Sequence, residues 1–197
     1  MVDIRGIRHL ARQGVHVLIA VAALVVVQTA QPTRAADASG TMIGEDALVA
    51  GFKGRTFGSG YYRNLLNGDV TRFDVDLIGR WDGQTLTLRE DFRFDDGRKD
   101  RKTWRFTRTG PGTYTGTRED VVGQARVRVS GNRATLAYDV LIDTAKGQRK
   151  VHFSDVLIFN DDGTVLNTAR VTKLLFPVAR VQVNFARTRR TVPVPQS

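Results

Sequence analysis

The sequence predicts an all-β protein, a single up-and-down antiparallel β-barrel of about ten strands. Three observations predict it. Apolar and polar residues alternate through most of the chain, as where Leu86, Leu88, Phe92 and Phe94 share one face. Pairs of turn-forming residues separate the alternating stretches, and no helical period of ten or more residues lies between them. Alternation with period two is typical of half-buried strands, and tight turns join consecutive antiparallel strands.

The predicted strands follow one another along the chain, and hairpin turns separate them. The turn pairs include Asn67-Gly68, Asp82-Gly83, Asp96-Gly97 and Asp162-Gly163, and such pairs supply the positive φ that two-residue turns require. We expect the first and last strands to pair, because closure removes the exposed edges of a meander. A short helical turn is expected near residues 43–50. Strands are expected at 54–63, 69–81, 85–95, 99–109, 113–119, 123–130, 133–143, 149–160, 164–173 and 178–188.

Two other all-β architectures show the same alternation. A β-sandwich usually needs longer crossovers than these turns allow. A barrel of the outer-membrane type carries long loops on one side, whereas every predicted connection here is short. We therefore rank the sandwich and the membrane barrel below the up-and-down barrel.

The N-terminal segment has the pattern of a secretory signal peptide. Arg5, Arg8 and Arg12 precede an apolar run from Val17 to Val27, and several alanines follow it. The run of 11 residues is shorter than the roughly 20 that span a bilayer, so an uncleaved anchor is the weaker interpretation. We expect a periplasmic or secreted protein without a lipid anchor. The expected segments are a signal peptide with a short linker at 1–38, the barrel domain at 39–188 and a disordered tail at 189–197.

The composition excludes several kinds of site. The chain has no cysteine, which removes disulfides, thiol nucleophiles and zinc–thiolate centres. It has three histidines, and only His152 lies outside the first 38 residues. His152 falls on the polar side of its strand, so we expect it to face solvent. The sequence predicts no metal site and no cofactor.

The net charge of +10 raises the question of nucleic acid, and its distribution answers it. Residues 1–38 contribute +2, and the rest of the chain keeps +8. There the basic residues alternate with acids along the strands instead of forming one basic stripe with exposed aromatics. We therefore expect no nucleic acid partner. The charge favours an anionic membrane surface as a candidate partner, and we expect a monomer.

A series of turn and strand motifs carries a resemblance to a known family. The motifs are Gly79-Arg80-Trp81-Asp82-Gly83, Glu90-Asp91-Phe92, Trp104, Tyr114-x-Gly116 and Asp120-Val121-Val122-Gly123. In these motifs the chain resembles an uncharacterised family of exported bacterial proteins, a domain of unknown function with a lipocalin-like, or calycin-like, barrel. The match covers roughly residues 50–187 and departs at Ser154-Asp155-Val156, where Asp-Asp-Trp is expected. The resemblance implies the fold and supplies no catalytic residue.

Several polar residues share a strand face with apolar neighbours, so the alternation predicts that they point into the barrel. Together with Trp104, a predicted core residue, they are our candidate ligand-binding residues. A buried carboxylate must be paired, protonated or hydrated. The inward polar residues therefore form either an internal polar network or the polar part of a ligand pocket. The inward polar candidates are Glu90, Tyr138, Asp155, Asn167 and Lys173.

Three functions follow from these residues. The first is a binding protein that holds a small hydrophobic or lipid-like ligand, whose carboxylate or phosphate would suit Lys173 or a buried arginine. The second is an isomerase, cyclase or hydrolase that uses Glu90 and Asp155 as acid and base, which we rank lower. The third is a structural envelope protein with a filled barrel.

Overall fold

The computed structural model describes residues 45–144 and 147–195. The predicted signal peptide and linker lie outside these residues and stay a prediction. The chain forms one short helix and ten antiparallel strands, close to the predicted ranges. The elements are α1 (Ala47–Phe52), β1 (Gly54–Asn64), β2 (Val70–Trp81), β3 (Thr85–Phe94), β4 (Lys99–Gly110), β5 (Thr113–Thr117), β6 (Val121–Ser130), β7 (Arg133–Thr144), β8 (Gly147–Phe159), β9 (Val165–Lys173) and β10 (Phe176–Ala186).

The ten strands form a closed up-and-down barrel, which confirms the predicted architecture. Each strand pairs with its neighbour in sequence, and β1 pairs with β10 from Phe57 opposite Ala186 to Asn64 opposite Ala179. Closure leaves no strand edge free, and it divides every strand into an inner and an outer face. The inner faces carry the buried core, including Leu77, where the sequence alternation places it.

Helix α1 closes one end of the barrel with its apolar side. Leu48, Val49 and Phe52 are buried among the ends of the strands. Residues 47–52 form the helix, slightly later than the turn expected near 43–50. A helix this short is marginal alone, so its burial and its end contacts must hold it in place.

Polar contacts hold α1 at both ends. Asp46 caps the N-terminus by accepting a hydrogen bond from the Val49 amide at 3.3 Å. The Tyr114 hydroxyl donates to the other carboxylate oxygen of Asp46 at 2.6 Å. At the C-terminus, the Arg187 guanidinium donates to the carbonyl of Lys53 at 2.8 Å and to the carbonyl of Ala50. These contacts join the helix to β5 and to the residue after β10.

The opposite end of the barrel, which we call the rim, is formed by turns between strands. It carries the connections β1–β2, β3–β4, β5–β6, β7–β8 and β9–β10. In the β9–β10 turn, Leu174 and Leu175 have φ angles of 49° and 72°. Left-handed backbone costs a residue with a Cβ about 1–2 kcal/mol, which is why turns of this kind favour Asn-Gly. Two leucines here are therefore unfavourable for folding.

The residues after β10 contact the outside of the barrel. Residues 189–195, assigned to a disordered tail in the sequence analysis, contain a 3₁₀ turn at Arg189–Thr191. The Arg189 guanidinium pairs with Asp76 and lies 4.6 Å from the centre of the Phe57 ring. Asn184 donates to the Pro193 carbonyl at 3.0 Å. No helix in the described part of the chain is long and apolar enough to cross a membrane.

Gly79 provides a test of how α1 seats on the barrel. A Cβ at Gly79 would lie 1.9 Å from the carbonyl oxygen of Phe52, the last residue of α1. Gly79→Ala must therefore displace the end of the helix. We expect the free energy of unfolding in urea to fall by about 2 kcal/mol or more, as for overpacked cores.

The neighbouring Arg80→Ala is the control for the Gly79 substitution. Arg80 lies on the outer face of the same strand and is exposed, so we expect its substitution to change stability by about 0.5 kcal/mol at most. Equal stabilities for the two variants would show that α1 is not held against β2.

Candidate functional site

The barrel encloses a cavity of about 200 Å³. Its walls run from α1 at one end toward the rim, and most of the lining is aliphatic or aromatic. Ligand pockets are typically apolar with a few converging polar groups, and their volumes usually run from about 300 to 1,000 Å³. The cavity has the apolar character of such a pocket but is smaller than the usual range, so it suits only a small molecule.

The structure places five of the six candidate residues along this cavity. Glu90 comes from β3, Trp104 from β4, Tyr138 from β7, Asp155 from β8 and Asn167 from β9. They converge from five strands because closure turns the inner face of each toward one interior. Whether they bind a ligand stays a prediction.

The sixth candidate, Lys173, lies apart from the other five. It is the last residue of β9, next to the turn at the rim, and it is not among the residues that line the cavity. Its side chain is half-buried. A ligand head group held by the other five residues would therefore not contact the ammonium group of Lys173.

Asp155 is the most deeply buried carboxylate of the described residues. It is 7% exposed, and one oxygen, Oδ2, accepts hydrogen bonds from the Tyr138 hydroxyl at 3.3 Å and from the Asn167 amide at 3.4 Å. The other oxygen, Oδ1, is buried without a hydrogen-bond partner in the protein. Burial raises the pKa of Asp155 to about 6, although these bonds and Arg118 oppose the shift.

Arg118 is a cavity-lining residue that the sequence analysis missed. It lies in the β5–β6 connection at the rim, yet its guanidinium reaches inward and lies 4.6 Å from the centre of the Trp104 ring. Its Nε and Nη2 donate to the two carboxylate oxygens of Asp120 at 2.7 and 3.3 Å. Electrostatic interactions with Tyr138, Asp120 and Glu90 keep the pKa of Arg118 raised despite its burial. A fixed positive charge therefore stands in the cavity wall.

Glu90 faces this arginine without a hydrogen bond to it. Its Oε2 lies 3.9 Å from Nη1 of Arg118, and its side chain is 13% exposed. Burial raises the pKa of Glu90 to about 7, and the attraction of Arg118 only partly opposes that shift. Near neutral pH the carboxyl of Glu90 is therefore divided between its protonated and ionised forms.

Three buried oxygen atoms of the described residues have no hydrogen-bond partner in the protein. They are Oε2 of Glu90, Oδ1 of Asp155 and Oδ1 of Asn167, and all three residues line the same cavity. Buried polar atoms in native proteins almost always have partners, so a cluster of exceptions calls for an explanation. Each of these three oxygens therefore lacks a hydrogen-bond donor within the protein.

His152 lies outside this cluster, as expected. It is half-buried, its Nδ1 lies 2.8 Å from a carboxylate oxygen of Asp139, and neither residue lines the cavity. Within residues 45–144 and 147–195, no group of three or more histidine, aspartate or glutamate side chains is placed to hold a metal ion.

The raised pKa of Glu90 predicts a pH dependence of stability. Between about pH 4.5 and 7 the folded protein binds a proton that the unfolded chain has lost, so stability falls as the pH rises. Glu90→Gln removes this titration. Relative to the variant, we expect the wild-type free energy of unfolding to fall across that range by up to about 3 kcal/mol. Urea unfolding followed by tryptophan fluorescence at pH 4 to 8 measures it.

Asp161→Asn is the control for this titration. Asp161 is exposed in the turn between β8 and β9 and is not among the residues that line the cavity. We expect its pH profile to run parallel to that of the wild type. Parallel profiles for wild type and Glu90→Gln would contradict the assignment of a raised pKa to Glu90.

Comparisons with known proteins give a family and a fold. A family model described as "Protein of unknown function (DUF3833)" matches residues 24–187. A search of curated proteins finds no match. The S-type phycobiliprotein lyase CPES from Guillardia theta has a similar structure, with a TM-score of 0.51 and 8% identity over 72% of this chain and 91% of the lyase. Rv2717c from M. tuberculosis has a TM-score of 0.48 and 16% identity, over 73% of this chain and 98% of that one. The likeness to the lyase shows the fold alone.

Proposed function

This chain belongs to the family described as "Protein of unknown function (DUF3833)", as the resemblance predicted, and from its interior we propose that it is a binding protein. It holds a small amphipathic ligand inside the barrel. The signal-peptide pattern supports a place of action outside the cytoplasm. The three buried oxygens without partners carry the proposal, because a ligand that donates hydrogen bonds to them would supply the donors that they lack within the protein.

The polar end of the ligand carries hydrogen-bond donors. Two of the five N–H groups of Arg118 are already bound by the two oxygens of Asp120, whose negative charge offsets that of the guanidinium. An anionic head group would also lie beside Glu90 and Asp155, whose ionised forms repel it. A hydroxyl or ammonium group fits better. This proposal replaces the anionic head group that the sequence analysis expected.

The apolar part of the ligand lies against the aliphatic and aromatic wall. Phe73, Leu136 and Val183 belong to that wall, on strands separated around the barrel. The volume of about 200 Å³ limits the ligand to a short chain or a single ring system. A filled structural barrel would have no such cavity, so the cavity supports binding over that alternative.

One observation favours the enzymatic alternative. Glu90 and Asp155 line the same cavity, and burial raises both pKa values, to about 7 and about 6. Enzymes often raise the pKa of a catalytic carboxyl toward neutrality by burial. The same pair also forms a binding site for donors without any reaction, and the absence of product after incubation with bound ligand would separate the two functions.

A matched ligand series tests the binding proposal. We expect 1-octanol and octylamine to bind saturably in isothermal titration calorimetry at neutral pH, and octanoate to bind at least tenfold more weakly. The reason is that only the first two bring a donor to Glu90 and Asp155. Saturable binding of none of the three, or tightest binding of octanoate, would contradict the proposal.

Two variants connect that binding to the cavity. Asp155→Asn is expected to weaken octylamine by about tenfold or more, since it removes the charge beside the ammonium group. Ala169→Leu adds volume at a cavity-lining position and is expected to weaken every ligand. Asp161→Asn, in the exposed turn, is the control and is expected to bind as the wild type does.

A further inference from the structure

The β9–β10 turn exposes three large apolar side chains at the rim. Leu174, Leu175 and Phe176 are 82%, 94% and 73% exposed. The two leucines also have positive φ angles, whereas several other turns of the barrel place glycine in that conformation. Neither burial nor backbone preference explains leucine at these positions in the isolated fold. Leucines that are both exposed and held at positive φ angles indicate a contact with something outside the chain.

A second apolar loop lies beside this turn. Leu65 and Leu66, in the β1–β2 connection, are 38% and 43% exposed. The Leu65 amide donates to the carbonyl of Val178 at 3.0 Å, which holds the loop against the start of β10. The described residues include eight exposed large hydrophobic side chains. Seven of them lie in a rim connection or within four residues of the rim end of a strand, and only Val194 does not. The exposed apolar surface is therefore concentrated at one end of the barrel.

Cations that form no ion pair with a carboxylate flank the apolar loops. Arg63 lies opposite Arg180, and Arg180 lies opposite Arg170, so three guanidinium groups form one row across β1, β10 and β9. Like charges in directly opposed positions disfavour the sheet. Lys173 and Arg149 lie closer to the rim. Within the described residues, none of these five side chains forms an ion pair with a carboxylate.

The distance between the arginine row and the apolar β9–β10 turn matches the depth of a bilayer interface. Arg180 is four residues along β10 from Phe176, or about 14 Å along the strand. Barrel strands tilt by roughly 40°, so the arginine row lies about 10 Å above the apolar turn. Apolar side chains of interfacial proteins enter a bilayer by about 5–10 Å. With the turn inserted, the row would therefore lie at the level of the lipid phosphates.

We propose that the rim docks on an anionic phospholipid bilayer. Leu174, Leu175 and Phe176 enter the interface together with the β1–β2 loop, and the arginine row and Lys173 bind the headgroups. The complementary charge selects a lipid surface, because small separate apolar loops flanked by unpaired cations suit a fluid array of phosphates. Docking does not depend on which ligand, if any, the cavity holds.

The exposed leucines allow a variant that separates docking from folding. Leu174→Asn/Leu175→Gly restores the residues that this turn prefers. We expect the midpoint of thermal unfolding to rise, because the backbone strain is relieved, while binding to vesicles weakens at least tenfold. The measurement is co-sedimentation of the purified protein with vesicles of phosphatidylglycerol and phosphatidylcholine in equal parts. Val194→Asn, an exposed apolar position elsewhere, is the control and is expected to bind as the wild type does.

Charge is tested separately from apolar insertion. Arg170→Gln/Arg180→Gln is expected to weaken binding to the anionic vesicles by roughly fivefold for each charge, and added salt should weaken the wild type in the same direction. Vesicles of phosphatidylcholine alone should bind the wild type at least tenfold more weakly.

Three results would overturn the docking proposal. One is equal binding to anionic and neutral vesicles, and another is binding by the Leu174→Asn/Leu175→Gly variant at the wild-type level. The third is the absence of vesicle binding together with a homodimer, seen by light scattering, that the same variant abolishes. That result would assign the rim to a second copy of the chain.

Discussion

The interior of the barrel, its cavity and its rim all depend on the pairing of β1 with β10. That pairing converts a meander into a closed surface, in which each strand has a neighbour on both sides. Without it, the inner faces of the strands would open to solvent and the alternation of side chains would define no interior. Closure brings residues far apart in sequence, such as Glu90 and Asn167, to one cavity. It also turns their polar groups away from the solvent outside the barrel.

The polar groups inside the barrel are only partly balanced. Arg118 has Asp120 as a firm partner, and Asp155 has Tyr138 and Asn167, which together offset much of the cost of burial. Oxygens of both inward carboxyl groups remain without hydrogen bonds. A purely structural network gains most when it is complete. The incomplete network here is thus better suited to a site than to a core.

The sequence predicts the barrel well because its two signals are local. Alternation and turn pairs need no knowledge of distant contacts, and the strand bounds follow them to within about two residues at most ends. The sequence analysis missed Arg118 because Gly116 leaves the inner face of β5 with almost no apolar side chains. Tyr114, Gly116 and Arg118 alternate on that same face, but the pattern is too short to recognise. The exposed Leu174 and Leu175 were equally hidden, since two leucines in sequence indicate a core. Neither position can be recognised before the register is known.

The attachment of α1 has a kinetic consequence for the barrel. Asp46 and Arg187 fasten the helix at both ends, and its apolar side fills the strand ends there. Passage through that end would require several of these contacts to break together, whereas the rim has only turns to move. A ligand of the kind we propose would therefore enter and leave through the rim. Uptake and release then share one barrier, so a change at the rim alters both rates while leaving the affinity set by the interior.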